Sequence, residues 1–139
     1  MTLPTTTPEP RPHQLPAGLT ASQERALVRD GYACFRCGDH ALEASVIAEA
    51  RSSRADMPAN RLSLCADCKQ DVHADDKRAR KLSIRLGYLI PAGNFNPATI
   101  PVLHHRSGWV LLTSDGKWAK ADEYAVKDWQ ARWPEKKAA

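Results

Sequence analysis

No stretch of this 139-residue chain approaches the roughly 20 consecutive apolar residues that a membrane-spanning helix needs. The N-terminal residues also lack the charged start, apolar centre and small-residue cleavage site of a secretory signal. These absences predict a soluble, cytoplasmic protein without a membrane partner. The chain is also too short for two independent hydrophobic cores, so we expect a single core.

Cysteine is absent outside two Cys-x-x-Cys pairs, Cys34 with Cys37 and Cys65 with Cys68. In a reducing cytoplasm, such pairs bind a metal far more often than they form disulfides. Four thiolates complete a closed tetrahedral site that leaves no position open for water or substrate. We therefore predict one structural zinc ion bound by these four cysteines; two unrelated or redox-active pairs are the alternative.

The N-terminal part has a proline-rich segment followed by a helix start. Residues 1–18 contain five prolines, which predict a flexible tail. Thr20 followed three positions later by Gln23 is a capping-box pattern, and Gly31 is typical of a helix end. A helix is therefore predicted over residues 21–30.

The segments between and after the cysteine pairs give mixed signals. "ALEASVIAEA" fits a strand by its β-branched pair and a helix by its alanines and glutamates. "RLSLC" alternates as a short strand does. A helix is then predicted from Ala66 to Leu86, with a break near Ala74 and with Ala79, Leu82 and Leu86 on its apolar face.

The C-terminal part predicts a hairpin and a closing helix. "GWVLLT" and "KWAKA" are typical of two strands joined by the Asp-Gly turn in "SDG", and Tyr88 to Ile90 is predicted as a brief strand. "DEYAVKDWQARW" predicts a helix with four side chains that pack on the hairpin: Tyr124, Val126, Trp129 and Trp133. Pro134 ends the helix, and residues 135–139 form a tail.

The formal net charge of +4 is a modest excess, so its distribution matters more than its size. No acidic residue interrupts the segment 77–85, which carries five cations: Lys77, Arg78, Arg80, Lys81 and Arg85. Such a run predicts a surface that binds nucleic acid, and a solvated helix face is the alternative.

Two quoted stretches resemble the small zinc-containing HNH endonucleases of actinobacterial phages. "LTASQERALVRDGYACFRCG" is similar to the leading helix and first cysteine pair of that family, and "NRLSLCADCKQDVH" to its asparagine, strand, second pair and final histidine. "LGYLIPAG" and "IPVLHHRSGWVLLTSDGKW" resemble the extension that follows. The resemblance spans about residues 20 to 118. It implies an α+β fold with a zinc-bearing ββα core at 19–87 and a hairpin-plus-helix extension at 88–134.

The family's mechanism implies a histidine that acts as general base, an asparagine that orients it, and a further histidine that holds a divalent metal with an acidic or histidine neighbour. In the matching strand "EASVIAEAR", Val46, Ile47 or Ala48 takes the place of the general base. Ser45 or Val46 takes the place of the metal ligand. Lys69 after the second cysteine pair repels a divalent cation.

We therefore predict no catalytic residues, with Asn60 and His73 as vestiges of the catalytic pattern. His40 is the alternative candidate for the general base. His104 and His105 are expected to face solvent or to pack beside Trp109.

Loss of the base with retention of the metal frame predicts a phage protein that binds nucleic acid through the cations of residues 77–85 and does not cleave it. One alternative is a protein that binds and inhibits or redirects a host protein. Its contacts would come from four tryptophans: Trp109, Trp118, Trp129 and Trp133. The alternative role of these tryptophans is to form the small C-terminal core. The other alternative is an active, metal-dependent nuclease.

Overall fold

In the computed structural model of the protein, residues 18–38, 47–53 and 56–134 are described. This part of the chain has the predicted α+β class, with four helices and five antiparallel strands: α1 Ala21–Arg29, β1 Ile47–Ala50, β2 Arg61–Leu64, α2 Ala66–Val72, α3 Lys77–Arg85, β3 Val102–His104, β4 Gly108–Leu112, β5 Trp118–Lys120 and α4 Glu123–Arg132. Short 3-10 turns lie at Pro58–Asn60 and Pro97–Thr99. None of the described helices combines the length and apolar character needed to cross a membrane.

Several predictions fall on other residues. The proline-rich tail up to residue 17, the tail at 135–139, and His40, Ser45 and Val46 lie outside the described residues.

Helix α1 starts and stops where its sequence signals predict. The Thr20 hydroxyl accepts a hydrogen bond from the Gln23 N–H at 3.1 Å, and the Gln23 side chain accepts one from the Thr20 N–H at 2.8 Å. The chain leaves the helix through Gly31, whose φ of +68° lies in the left-handed region that favours glycine. The capping box therefore forms as predicted.

A buried ion pair ties the end of α1 to strand β2. The side chains of Arg29 and Asp30 are 1% and 2% exposed and share two hydrogen bonds, at 2.7 and 2.8 Å. Arg29 also donates to the carbonyls of Pro58 and Arg61, and Asp30 accepts from the Ser63 N–H at 3.0 Å. The remaining polar groups of the pair are thereby satisfied, as a buried pair requires.

Strands β1 and β2 form a two-stranded sheet in which Ile47 lies opposite Leu64 and Ala50 opposite Arg61. The segment that fitted strand or helix is therefore a strand in its described part. Cys65 follows β2 directly and begins α2, so the sheet delivers the second cysteine pair to the start of a helix.

Helices α2 and α3 are separated at the predicted break. Asp76 caps α3 by accepting from the Ala79 N–H at 2.9 Å. The predicted apolar face of α3 is wrong, because Leu82 is 47% exposed whereas Ser83 and Ile84 are buried. Ile84 packs in the buried core, and its carbonyl accepts a hydrogen bond from the indole N–H of Trp129 in α4 at 2.7 Å.

The second sheet has three strands in the order β3-β4-β5. The predicted hairpin is β4–β5, with Leu112 opposite Trp118, and β3 is an additional strand. The strand predicted at Tyr88 to Ile90 does not form, because the Ile90 N–H instead bonds the Arg51 carbonyl at 2.8 Å. In α4, Trp129 is buried as predicted, but Tyr124 is 81% exposed.

The main core draws buried side chains from both sides of the predicted boundary at 87/88, from Cys34 to Trp129. Arg51 lies at its centre, 1% exposed, and donates to four backbone carbonyls at 2.9 to 3.1 Å: Gly87, Ala59, Pro97 and Ile100. Burial, with a smaller effect of the Arg29 charge, lowers the pKa of Arg51 to about 9, which leaves it charged at neutral pH. Arg51 therefore joins β1 to the extension.

Candidate metal centre and nucleic-acid interface

The four predicted cysteines converge on one point. Cys34 and Cys37 lie in the turn after α1, whereas Cys65 and Cys68 lie at the start of α2. All four Sγ atoms lie within 4.8 Å of one another, and the cysteines are free. The Cys37 and Cys65 sulfurs are 3.8 Å apart. A tetrahedral ion 2.3 Å from each sulfur requires a sulfur–sulfur separation of about 3.8 Å. The cluster can therefore hold one metal ion.

The thiols of the cluster differ in acidity. Burial acts to raise the pKa of Cys34, but N–H groups of Cys37, Cys65 and Arg36 outweigh burial and bring it below its ordinary value. Burial raises the pKa of Cys68, and the hydrogen bond from Arg36 only partly opposes this. Neighbouring thiols resist ionising together, because each thiolate disfavours the next. A divalent cation removes that conflict, so the donor set fits a thiolate-binding metal.

Arg36 is a feature of the metal centre that the sequence analysis missed. It lies between the cysteines of the first pair and donates to Cys68 Sγ at 3.3 Å and to the Asp71 carboxylate at 3.2 Å. Burial lowers the pKa of Arg36, but Cys68 and Asp71 outweigh burial and raise it. Four thiolates around a divalent ion would carry excess negative charge, and Arg36 is placed to offset part of it.

Asn60 is buried, and its side-chain amide contacts the turn after β1. Its Nδ2 donates to the Ser52 carbonyl at 3.1 Å, and its Oδ1 accepts from the Ser52 hydroxyl at 3.0 Å. Both ends of the Asn60 amide therefore bond to Ser52 and stabilise the turn after β1.

His73, at the end of α2, lies beside a carboxylate that the sequence analysis did not single out. Its Nε2 is 3.8 Å from Glu49 Oε1, and the other Glu49 oxygen is 3.1 Å from Lys69 Nζ. Ser45 and Val46, the predicted counterparts of the metal ligand, lie outside the described residues. The sequence signal for the position of Glu49 was the alternation of strand β1, which places Ile47 and Glu49 on the same side of the strand.

The divalent metal implied by the family resemblance does not fit at Glu49 and His73. Across residues 18–38, 47–53 and 56–134, the four cysteines are the only group of three or more ligand side chains that lie close enough to share an ion. Lys69 already places a positive charge on the Glu49 carboxylate. A divalent cation would have to displace that ammonium and find further ligands.

The five predicted cations lie on α3. Lys77, Lys81 and Arg85 recur every four positions, with Arg78 beside them, and form one row that we call the α3 stripe. Arg80 is exposed and lies three positions after Lys77, at the margin of this row. None of these cations forms an ion pair with another described residue.

The four tryptophans have different environments, so they do not form one surface. Trp129 is 3% exposed, and its ring contacts that of Trp133 at 5.7 Å between centroids. Its indole N–H is bonded to the Ile84 carbonyl, so Trp129 offers little surface to a partner in this structure. Trp109 is half-buried, whereas Trp118 is 41% exposed.

The histidine pair at the end of β3, His104 and His105, packs on the first cysteine turn. The His104 ring meets Phe35 edge-on, with centroids 4.7 Å apart, and the His105 Nδ1 lies 3.1 Å from the Phe35 carbonyl oxygen. Burial first, and His105 second, lower the pKa of His104. His104 is therefore a neutral packing residue at neutral pH.

Comparisons of the chain with protein-family models, with curated proteins and with solved structures returned no match.

Proposed function

We propose that the protein is a zinc-containing, HNH-like module that binds nucleic acid without cleaving it. The single observation that carries the binding function is the α3 stripe, a row of cations without carboxylate partners in the described chain. Unpaired lysines and arginines at helical spacing contact successive phosphates and release counterions.

Zinc is the proposed ion because all four donors are thiolates and because their separations suit a tetrahedral ion. Its role is structural, since a four-sulfur shell leaves no open coordination position. The HNH-like assignment is supported by the order of the elements: hairpin β1–β2 with Asn60 between the strands, then α2 ending at His73.

The absence of cleavage follows from the groups that face one another near the hairpin. Glu49 is the one described residue of β1 that accepts a proton, and it is already bonded to Lys69. Asn60 is bonded to Ser52. A phosphodiester needs both an activated water and a cation on the phosphate, and the described residues beside the hairpin provide neither a free base nor a divalent-metal site.

The binding test measures affinity for duplex DNA, single-stranded DNA and RNA across a salt series. Lys81→Gln, within the α3 stripe, should reduce the salt slope by about one and weaken binding to all three ligands. Lys127→Gln removes the same charge from an exposed position on α4 and should leave the slope unchanged. Equal slopes for the wild type and Lys81→Gln would remove the stripe from the interface.

The nuclease alternative is tested with purified protein and supercoiled plasmid in the presence of magnesium, manganese or nickel. We expect no nicking at micromolar protein. Nicking that is lost in His73→Ala would contradict the proposal.

The host-protein alternative has less support, because Trp129 lies inside the core. Affinity capture from host lysate, with and without nuclease treatment, separates it from nucleic-acid binding. A stoichiometric partner that survives nuclease treatment would favour it.

A further inference from the structure

The second sheet ends at an exposed tryptophan. Strand β5 is an edge strand of the sheet, and all three of its residues are exposed. Trp118 is 41% exposed. Tryptophan rings are highly buried on average, so one at an edge with a large part of its surface in solvent is available to a ligand.

The Trp118 ring is held in a defined plane by His104. The two rings are nearly parallel, with an angle of 20° and 6.2 Å between centroids. His104 is itself fixed, because its Nδ1 accepts from the N–H groups of Arg106 and Ser107 at 3.1 and 3.0 Å. Phe35, which is buried beside the first cysteine turn, supports the His104 ring edge-on. The exposed indole is thereby positioned before any ligand arrives.

Two exposed cations lie near this ring. Lys120 lies two positions after Trp118 and hence on the same side of β5. The Arg106 N–H bonds to His104 Nδ1, and the His104 ring stacks on Trp118. Lys117 precedes Trp118 and so lies on the opposite side of the strand.

Lys120 and Arg106 form no ion pair with another described residue. The hydrogen bond from the Thr113 hydroxyl, and secondarily Lys117 and Arg25, lower the pKa of Asp115, so its negative charge offsets those two cations. Asp122 caps α4 at the Tyr124 N–H. Lys120 and Arg106 are therefore the cations beside the ring that remain for a polyanion.

We infer that Trp118 stacks on an unpaired base of single-stranded nucleic acid, while Lys120 and Arg106 contact the neighbouring phosphates. An exposed aromatic ring among cations is the arrangement that binds single strands, because a strand offers base faces and phosphates together. A duplex hides its base faces in the stack and has no use for the ring. The inference rests on the proposed nucleic-acid function and narrows the ligand to a single strand.

The test compares thymidine and uridine oligonucleotides of about 15 nucleotides with a duplex and with an abasic strand of equal charge. Trp118→Leu should weaken binding to the oligonucleotides about 5- to 150-fold and leave duplex binding unchanged. Tyr124→Leu, which removes another exposed aromatic ring, should change neither affinity. The wild type should bind the abasic strand more weakly than the normal strand, whereas Trp118→Leu should not distinguish them.

Each further outcome overturns a defined statement. If the wild type binds no nucleic acid, both this inference and the proposed function fail. If the wild type binds single strands but Trp118→Leu or base removal has no effect, or if duplex binding falls equally, this inference alone fails. The comparison of normal and abasic strands uses wild-type protein, so its result does not depend on whether Trp118→Leu folds. Loss of a captured protein partner in Trp118→Leu, with unchanged oligonucleotide affinity, would also overturn it.

Discussion

Arg51 and Arg36 meet different electrostatic demands within the same small core. Arg51 has no carboxylate partner in the described chain and is held by carbonyl oxygens from three separate segments. Arg36 instead faces sulfur and Asp71 at the metal centre. Arg51 therefore holds separate backbone segments together, whereas Arg36 places a positive charge beside the four thiols. Neither role has a sequence motif, because both depend on which distant groups the fold brings within reach.

Replacing Arg51 by methionine should destabilise the protein by about 3–5 kcal/mol, because four buried carbonyls lose their donor. The measurement is denaturant unfolding of metal-loaded protein followed by circular dichroism. Arg106→Met is the matched control, since Arg106 is exposed, and it should change the free energy of unfolding by less than about 0.5 kcal/mol. Equal unfolding midpoints for Arg51→Met and the wild type would show that the carbonyl cluster does not need its cation.

Replacing Arg36 by methionine should weaken metal retention about 10- to 100-fold, as loss of an outer-shell partner does. The physical reason is that Cys68 loses an N–H donor and the thiolate cluster loses its adjacent positive charge. Transfer of the metal to a coloured chelator measures the change. Arg36→Lys separates charge from geometry and should fall between the wild type and Arg36→Met. Unchanged transfer rates in both variants would mean that Arg36 has no part in metal retention.

At the scale of elements, the connection from α3 to β3 depends on a close approach of two backbones. Gly87 ends the helix region with a φ of +87°, and a Cβ on it would lie 2.1 Å from the Pro101 carbonyl oxygen. Gly31, at the end of α1, also has positive φ, but a Cβ there would meet nothing within 4 Å. A side chain at Gly31 would therefore cause backbone strain alone, whereas one at Gly87 would cause backbone strain together with steric contact.

Gly31→Ala should cost about 1–2 kcal/mol, the strain of a left-handed residue with a side chain. Gly87→Ala should cost clearly more, because Pro101 and Val102 must also move. Thermal unfolding of the two variants provides the comparison. Similar losses in both would show that the junction between α3 and β3 has room to relax.

Short-range signals in the sequence predicted the elements whose cause is local. The capping box at Thr20 and the hairpin around the Asp-Gly turn each depend on residues a few positions apart, and both form. The cysteine spacing likewise predicted the cluster, because the four ligands of a single metal ion must lie close together.

What the sequence could not predict depends on distant contacts. The Ile84 carbonyl bonds to Trp129, 45 positions later in the chain, and the charged neighbour of His73 comes from β1. The helical period of α3 offered two apolar sides, Leu82 and Ile84, and contacts with the distant residues of the main core bury Ile84 while Leu82 stays exposed. The exposure of Tyr124 has the same origin, because α4 buries Trp129 instead.

At the scale of the whole molecule, the metal centre joins the end of α1 to the start of α2, across the 27 residues between Cys37 and Cys65. Binding of a structural metal by such a site contributes about 10–16 kcal/mol, comparable with the whole stability of a small domain, about 5–15 kcal/mol. We therefore expect a chelator to unfold the protein, with loss of helical circular dichroism, and zinc under reducing conditions to restore it. Chelator saturated with magnesium is the control and should have no effect. Because protons compete with the metal for thiolates, the chelator should act faster as pH falls. A metal-free protein with the unfolding midpoint of the loaded form would refute the structural role, and the thiol cluster would then be held by the surrounding core alone.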